Sequence, residues 1–323
     1  MLIIRTPVRI SFFGGGTDYP AFFNDYGGSV ISTTTDKYCY VTLRHLPPIF
    51  PYKNQLTYSK IEYFNSPSEL QHPLVRAALE YMPTSEIQIF YDADMPACAG
   101  LGSSSAFAVG LLHGLHAMRG EQPSPELLAD EAIHLERDLC KEAGGIQDQI
   151  AVAFGGLNRI DFGADGYKVH PMIMPEKAKK ELQDNLLLLF TGFTRFAGIV
   201  SQEQKQRLNE NIEALKKMQT LTDEAHSLLK SGDIDSFGRL LNDTWQLKRT
   251  LSGQITTQSI DALYSLALEN GALGGKLLGA GGGGFLLLYV PKEKQPDFIK
   301  KFRGYEIMPV RFSEKGSEIF YRS

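Results

Sequence analysis

An α+β fold divided between two domains is expected for this chain on three grounds. Its 323 residues exceed one ordinary core and fall short of three. In each half, segments with strand pattern are followed by segments with helix pattern, not the regular alternation a parallel sheet needs. Apolar residues make up 43% and charged residues 22%, with no low-complexity tract, as in a compact globular protein.

Along the chain, "LIIRTPVRISF" and "GGSVISTTTDKYCYVTLRHL" are rich in β-branched and aromatic residues and predict strands broken by a glycine turn. "QLTYSKIEYF" continues the sheet. Leu70, Leu74, Ala78 and Met82 then recur at helical spacing, with Pro73 implying a late start or a kink. "EIQIFYDADMP" returns to strand. The apolar run at 103–118 ends in Arg119-Gly120, the exit chemistry of a helix, and Ser124 before Pro125 caps the next one. "GGIQDQIAVAFGGLNRIDFG" reads as a short helix and a strand, and the polar turn around "GADGYKVHPM" places the division between domains at 1–165 and 166–323. "NLLLLFTGF" is a buried strand. Residues 200–251 carry charged amphipathic helices interrupted near "KSGDID", "SIDALYSLALENGALGGKL" adds another, and "GFLLLYV" through "YEIMPVRF" combines strand and helix.

The net charge of −4 and the absence of any Lys/Arg-rich run argue against nucleic acid as a partner. Cys39, Cys98 and Cys140 have neither zinc-site nor disulfide-framework spacing, which fits a reducing compartment. The opening "MLIIRTPVRI" lacks a signal-peptide core, and "NLLLLF" and "FLLLYV" fall far short of the roughly 20 apolar residues of a membrane span. A cytoplasmic protein with no membrane contact is expected; oligomeric state is not readable.

Three glycine-rich segments carry the chemistry. In "PACAGLGSSSAF" a turn leads from a strand into a helix whose first amides, at Gly102, Ser103, Ser104 and Ser105, would face an anion at the helix's positive end. Gly100 and Gly102 permit close backbone approach, and a serine hydroxyl there can ligate magnesium. Taken alone, the segment reads first as a serine-capped helix after a loop, because caps of this composition are common. It lacks the lysine of a Walker A loop, and "GALGGKL" has a lysine at the wrong spacing. "GAGGGG", at 279–284, matches G-x-G-x-x-G but precedes a strand where a dinucleotide fold requires a helix, so that reading fails; something must pack against it. "SFFGGGTDYPAFF" is the third, and by itself it is as readily a turn with Asp18 as its cap.

In order and separation, "PVRISFFGGGTDY", "PACAGLGSSSAF", "GGIQDQ" and "KLLGAGGGGF" resemble the motifs of the GHMP kinases, the superfamily of galactokinase, homoserine kinase, mevalonate kinase and phosphomevalonate kinase. The likeness spans nearly the whole chain and is nearest in the sugar-kinase branch that acts on D-glycero-D-manno-heptose 7-phosphate. Galactokinases have Glu-His inside the segment where this chain has Gly14-Gly15-Gly16-Thr17-Asp18.

The resemblance implies a first domain like domain 2 of ribosomal protein S5, a ferredoxin-like second domain, and an active site in the cleft between them. It implies that ATP phosphates lie against Gly100, Leu101, Gly102, Ser103, Ser104 and Ser105, and that Ser104 and Glu136 hold Mg2+. Without the resemblance, Glu136 reads as a charge on the exposed face of an amphipathic helix. Asp148 aligns with the catalytic base and Arg9 with an arginine able to pair with it, since an unpaired buried aspartate would be costly. Asp18, with Gly15, Gly16 and Thr17, would orient sugar hydroxyls. Gly281, Gly282 and Gly283 would close over the substrate, and Arg195 would clamp a substrate phosphate, although a solvated arginine accounts for it equally. His113 and His116 receive no chemistry.

The function implied is ATP-dependent phosphorylation of a small-molecule sugar or sugar phosphate, with the anomeric hydroxyl of the heptose 7-phosphate first among acceptors. A galactokinase- or fucokinase-like enzyme acting on a free sugar is the alternative, and a non-catalytic sugar and nucleotide sensor is the alternative of another class. A dinucleotide oxidoreductase ranks third.

Overall fold

The computed structural model describes residues 1–194 and 197–323. Strand β1 (Leu2–Phe13) passes through the glycine turn and α1 (Pro20–Tyr26), then returns antiparallel as β2 (Gly28–His45). Exposure alternates at the start of β1, but from Thr6 onward both faces are covered, so Arg9 and Ser11 are buried. Strands β3 (Asn54–Thr57) and β4 (Ile61–Phe64) form a hairpin. Helix α2 (Pro73–Tyr81) starts at Pro73, where a missing N–H costs nothing, which settles the late start over the kink. Strand β5 (Ile87–Ala93) pairs antiparallel with residues 39–45 of β2 and parallel with β3.

Helix α3 (Ser103–Met118) lies across β1 and β2. Gly110 and Gly114 allow this, because a Cβ at 110 would stand 2.9 Å from Thr6 Oγ1 and one at 114 would overlap Leu43. Helix α4 (Pro125–Ile133) is capped by Ser124, whose hydroxyl accepts from Leu127 N–H. It runs into a π-helical turn at His134–Leu139 and, after a loop, α5 (Gln147–Phe154). Strand β6 (Leu157–Gly163) pairs with residues 28–33 of β2, and β7 (Gly166–Pro171) folds back on β6. The division expected at 165/166 therefore falls in the turn of a hairpin, where Gly163 faces Gly166. The segment after that turn is a strand of the first sheet; its mostly exposed faces explain its polar composition.

The second unit follows α6 (Glu176–Asn185) with β8 (Leu186–Phe190). Helices α7 (Ala197–Gln206), α8 (Ile212–Ser231), α9 (Ile234–Thr250) and α10 (Gln258–Glu269) lead to β9 (Gly274–Leu277) and β10 (Phe285–Tyr289), then to α11 (Gln295–Lys301) and β11 (Ile307–Pro309). The break at "KSGDID" is a left-handed Gly232 ending α8 and an Asp233 side chain capping α9. The sheet order β11-β8-β10-β9, antiparallel throughout, is the split β-α-β order of a ferredoxin-like domain. The tail then returns to the first sheet, where β12 (Phe312–Ser313) pairs with β2 and β13 (Glu318–Arg322) with β1. The result is an α+β fold with an N-terminal and a C-terminal domain, each built on its own sheet. Among the described residues, no helix is long and apolar enough to cross a membrane.

Candidate active site

Arg9, in the doubly covered half of β1, has to find partners for its guanidinium inside the protein. It finds Asp148 in the first turn of α5: Nε donates to Oδ1 at 2.8 Å and Nη2 to Oδ2 at 2.6 Å. Nη1 donates to the Gly100 carbonyl at 2.6 Å, and the Arg9 amide to the Leu101 carbonyl at 2.9 Å. One residue thus holds both the carboxylate and the turn ahead of α3. The Arg9 side chain is 5% exposed and that of Asp148 24%, so the carboxylate keeps an accessible edge.

That turn takes its shape from glycine. Gly100 and Gly102 have φ of +83° and +73°, and a Cβ at Gly102 would press on the Arg9 side chain at 3.1 Å. Gly102 itself occupies the N-cap of α3, with no side-chain cap bond. The first amide to bond back into the helix is that of Ala106, to Gly102, so the amides of Ser103, Ser104 and Ser105 precede the intrahelical ladder. The serines are not caps. Ser104 and Ser105 donate to the two carboxylate oxygens of Glu136, each at 2.7 Å, and the buried Ser103 Oγ has no hydrogen-bond partner.

Glu136 is only 1% exposed, which overturns the exposed-face reading of its helix. Leu128, Ala129, Ala132 and Leu135 mark the buried face of this stretch, and Glu136, four residues after Ala132, falls on it at ordinary helical spacing, where Gln149 Nε2 also donates to it. The next residue, Arg137, donates to the Gly145 carbonyl at 3.1 and 2.8 Å. Gly145 in turn lies against the Asp18 carboxylate, which a Cβ there would overlap.

Asp18 is 2% exposed and joins two parts of the site. Its Oδ1 accepts from Gly16 N–H at 3.0 Å and its Oδ2 from Gln147 N–H at 3.2 Å, next to Asp148. Burial raises its pKa; the amide bond from Gly16 opposes this and the Asp148 charge adds to it. At Gly15 a Cβ would find its nearest neighbour, Gln147 Nε2, at 3.8 Å, so this face of the turn is open. Thr17 is fully buried with its hydroxyl 2.8 Å from Gly14 O and 3.0 Å from Ser29 O, and it closes the turn from behind.

The last glycine segment packs directly on this assembly. A Cβ at Gly279 would lie 2.5 Å from Gly100 Cα, one at Gly100 2.5 Å from Leu278 O, and one at Gly284 would overlap the Ala99 carbonyl. The two glycine loops are in backbone contact across the cleft. Gly281 and Gly282 rest on Ile255, and Gly283 on Phe193. Arg195 lies outside the described residues.

Family models match the two halves of this assembly: that of the GHMP kinases N terminal domain over residues 72–156, which include the serine turn, Glu136 and Asp148, and that of the GHMP kinases C terminal over 225–304, which include the last glycine loop. The chain is a GHMP kinase. It is similar to D-glycero-alpha-D-manno-heptose 7-phosphate kinase of Campylobacter jejuni, with 27% identity covering 97% of this chain and 96% of that one. Galactokinase of Pyrococcus furiosus is 24% identical, covering 91% and 90%. Two solved structures share the fold. A D-glycero-D-manno-heptose 1-phosphate kinase from Bacteroides thetaiotaomicron has a TM-score of 0.81 at 23% identity over 98% of each chain. Lactococcus lactis galactokinase complexed with galactose has a TM-score of 0.75 at 18% identity over 99% and 95%. As a GHMP kinase of sugar-kinase type, the protein is an ATP-dependent small-molecule kinase.

Two buried lysines beside this assembly of the GHMP kinase escaped the sequence. Lys248, in the last turn of α9, donates to Leu277 O at 3.1 Å and Gly279 O at 2.5 Å; burial, with Arg9 nearby, lowers its pKa to about 7. Lys276, on β9, donates to Phe12 O at 2.9 Å and is pushed well below the usual lysine range by burial first and Lys248 second. Lys276 had a signal, a lysine between glycines and a run of apolar residues, but Lys248 looks like any basic residue at a helix C-terminus.

Proposed function

We propose that this GHMP kinase transfers the γ-phosphoryl group of Mg-ATP to the anomeric hydroxyl of D-glycero-D-manno-heptose 7-phosphate. The observation that carries the reading is the Arg9 bridge: one guanidinium clamps the Asp148 carboxylate and the Gly100 carbonyl, so acceptor activation and phosphate seat share one rigid element. In this reading the amides of Ser103, Ser104 and Ser105 and the unpartnered Ser103 hydroxyl receive phosphate oxygens at the N-terminus of α3. Ser104 gives its proton to Glu136, which leaves its lone pairs free; that hydroxyl and the carboxylate are hard oxygen donors of the kind magnesium takes beside phosphate and water. Bound Mg2+ would neutralise charge on the transferring phosphate.

Asp18 and the open face at Gly15 orient the sugar. Asp148 accepts the proton as the acceptor O–H bond breaks and the new O–P bond forms, while the bond from γ-phosphorus to the bridging oxygen breaks and its electron pair leaves with ADP. Arg9, bonded to both carboxylate oxygens, fixes the orientation of Asp148 in this reading.

Support for the heptose phosphate is the near full-length similarity to the Campylobacter enzyme. A free sugar is the second reading, favoured by 27% identity, over 90% of this chain, to L-fucokinase/L-fucose-1-P guanylyltransferase of Bacteroides fragilis, of which the match spans only 34%. ADP release with Mg-ATP across hexoses, fucose, heptoses and their 6- or 7-phosphates decides between them. Turnover of free fucose or galactose with none of heptose 7-phosphate would reject the lead acceptor.

A further inference from the structure

Lys248 is buried in the second domain, yet every partner of its amino group belongs to the glycine segment that meets the first domain. Its two acceptors, Leu277 O and Gly279 O, flank Leu278, the residue whose carbonyl presses on Gly100. Gly100 O is in turn held by Arg9, and Arg9 by Asp148. These contacts form one unbroken chain from the C-terminus of α9 to the carboxylate edge in the cleft.

Resting on the function proposed above, we infer that Lys248 is a positioning residue for phosphoryl transfer: by fastening the turn at 277–279 against Gly100 it holds the serine turn, Arg9 and Asp148 in their working register. The charged groups facing it are Arg9 from β1, Asp148 from α5, Asp18 from the glycine turn and Lys276 from β9. Two of these are cations and two carboxylates, so the amino group sits at the centre of the site's charge balance while touching no position expected for the sugar.

A neutral amine makes weaker bonds to carbonyls than an ammonium does, so protonation strengthens the tether. With a pKa brought to about 7 by burial, Lys248 loses that strength as the pH rises through neutrality in the free enzyme. Polyphosphate charge across the cleft favours the ammonium and shifts the same loss to higher pH in the complex. The alkaline limb therefore belongs in kcat/KM for ATP, which reports the free enzyme, before it enters kcat.

The test uses the full chain with its best acceptor and compares Lys248→Met and Lys248→Arg with the wild type, all corrected for folded fraction by thermal melting. The Met variant is expected to lose about tenfold or more in kcat with KM for ATP changed by less than about threefold, and Arg to restore most of the loss. A Met variant within about twofold of wild type, or an Arg variant as impaired as Met, overturns the inference. If the Met chain does not fold, the pH profile decides. In the wild type kcat/KM for ATP falls as pH rises through about 7, and in the Arg variant, which never loses its proton, it stays level; a parallel fall in both overturns the inference. Absence of wild-type turnover on every acceptor is a different failure, which rejects the kinase reading and this inference with it.

Discussion

Asp148→Asn keeps the shape of the side chain and removes its charge. In the wild type both carboxylate oxygens accept from Arg9, at 2.8 and 2.6 Å; in the variant one oxygen becomes an NH2 group that faces a guanidinium donor. Breaking a buried ion pair from one side costs about 3–5 kcal/mol, because the remaining charge is stranded. Here the Asp148 side chain is 24% exposed, so water partly replaces the lost partner, and about 2 kcal/mol of stability is the expected loss. The catalytic loss is larger: removing a positioned base costs about 10²- to 10⁴-fold in kcat. Nucleotide affinity is expected to hold, since the amides of α3 and the Ser103 hydroxyl are untouched. Urea titration, calorimetric titration with an ATP analogue and an ADP-release assay read the three quantities separately. Arg9→Met in the same background completes a cycle in which the two stability losses are far from additive, with a coupling of about 1–3 kcal/mol. The reasoning is refuted if Asp148→Asn turns over within tenfold of wild type, or if nucleotide affinity falls by the same factor as kcat.

Gly100→Ala places a Cβ 2.5 Å from Leu278 O at a φ of +83°, whereas Gly120→Ala meets the same kind of backbone strain, at φ +79°, with no atom within 4 Å. Both variants are expected to melt earlier, by about 1–2 kcal/mol of strain, but only Gly100→Ala should also lower kcat, by about tenfold, as the loops are forced apart. Glu136→Gln should raise the Mg2+ concentration for half-maximal rate by about tenfold or more while leaving sugar KM nearly unchanged, measured by magnesium titration at fixed ATP. For pH, Lys248 has a folded pKa near 7 against about 10.5 unfolded. Between those values the unfolded chain holds a proton that the folded chain has released, so this residue makes stability rise with pH across that window, by up to about 1.4 kcal/mol per pH unit. Melting temperatures from pH 7 to 10 should therefore climb less in Lys248→Met than in wild type, and equal slopes would contradict the placement of this amine.

How much of the site was legible depends on how local its signal is. The serine turn and α3 could be read to the residue, because a strand, two glycines and an apolar helical run are written consecutively. The burial of Glu136 could be followed by helical spacing from Leu128 and Ala132, but its donors could not, because Ser104, Ser105 and Gln149 come from other helices. The glycines at 279–284 announced that something packs closely, but only the folded chain identifies residues 99 and 100 as the partner. Strand β7 reads as a turn because its alternation is confined to two half-buried positions, Tyr167 and Val169, beside a glycine turn, too short a pattern to stand out.

From the sequence alone came the α+β character, the separate glycine-rich segments, the family resemblance and, through motif order, the candidacy of Arg9, Ser104, Glu136 and Asp148. Tertiary structure alone decided that the last dozen residues rejoin the first sheet, that Thr17 faces inward, that Lys248 is buried against the last glycine segment, and that Lys276 is buried against Phe12 of the first sheet. The physical reason is the same in each case. Whether a polar side chain meets water, a carbonyl or a carboxylate is set by residues far away in sequence, and the desolvation that gives such a group its chemistry exists only once both domains have closed around it.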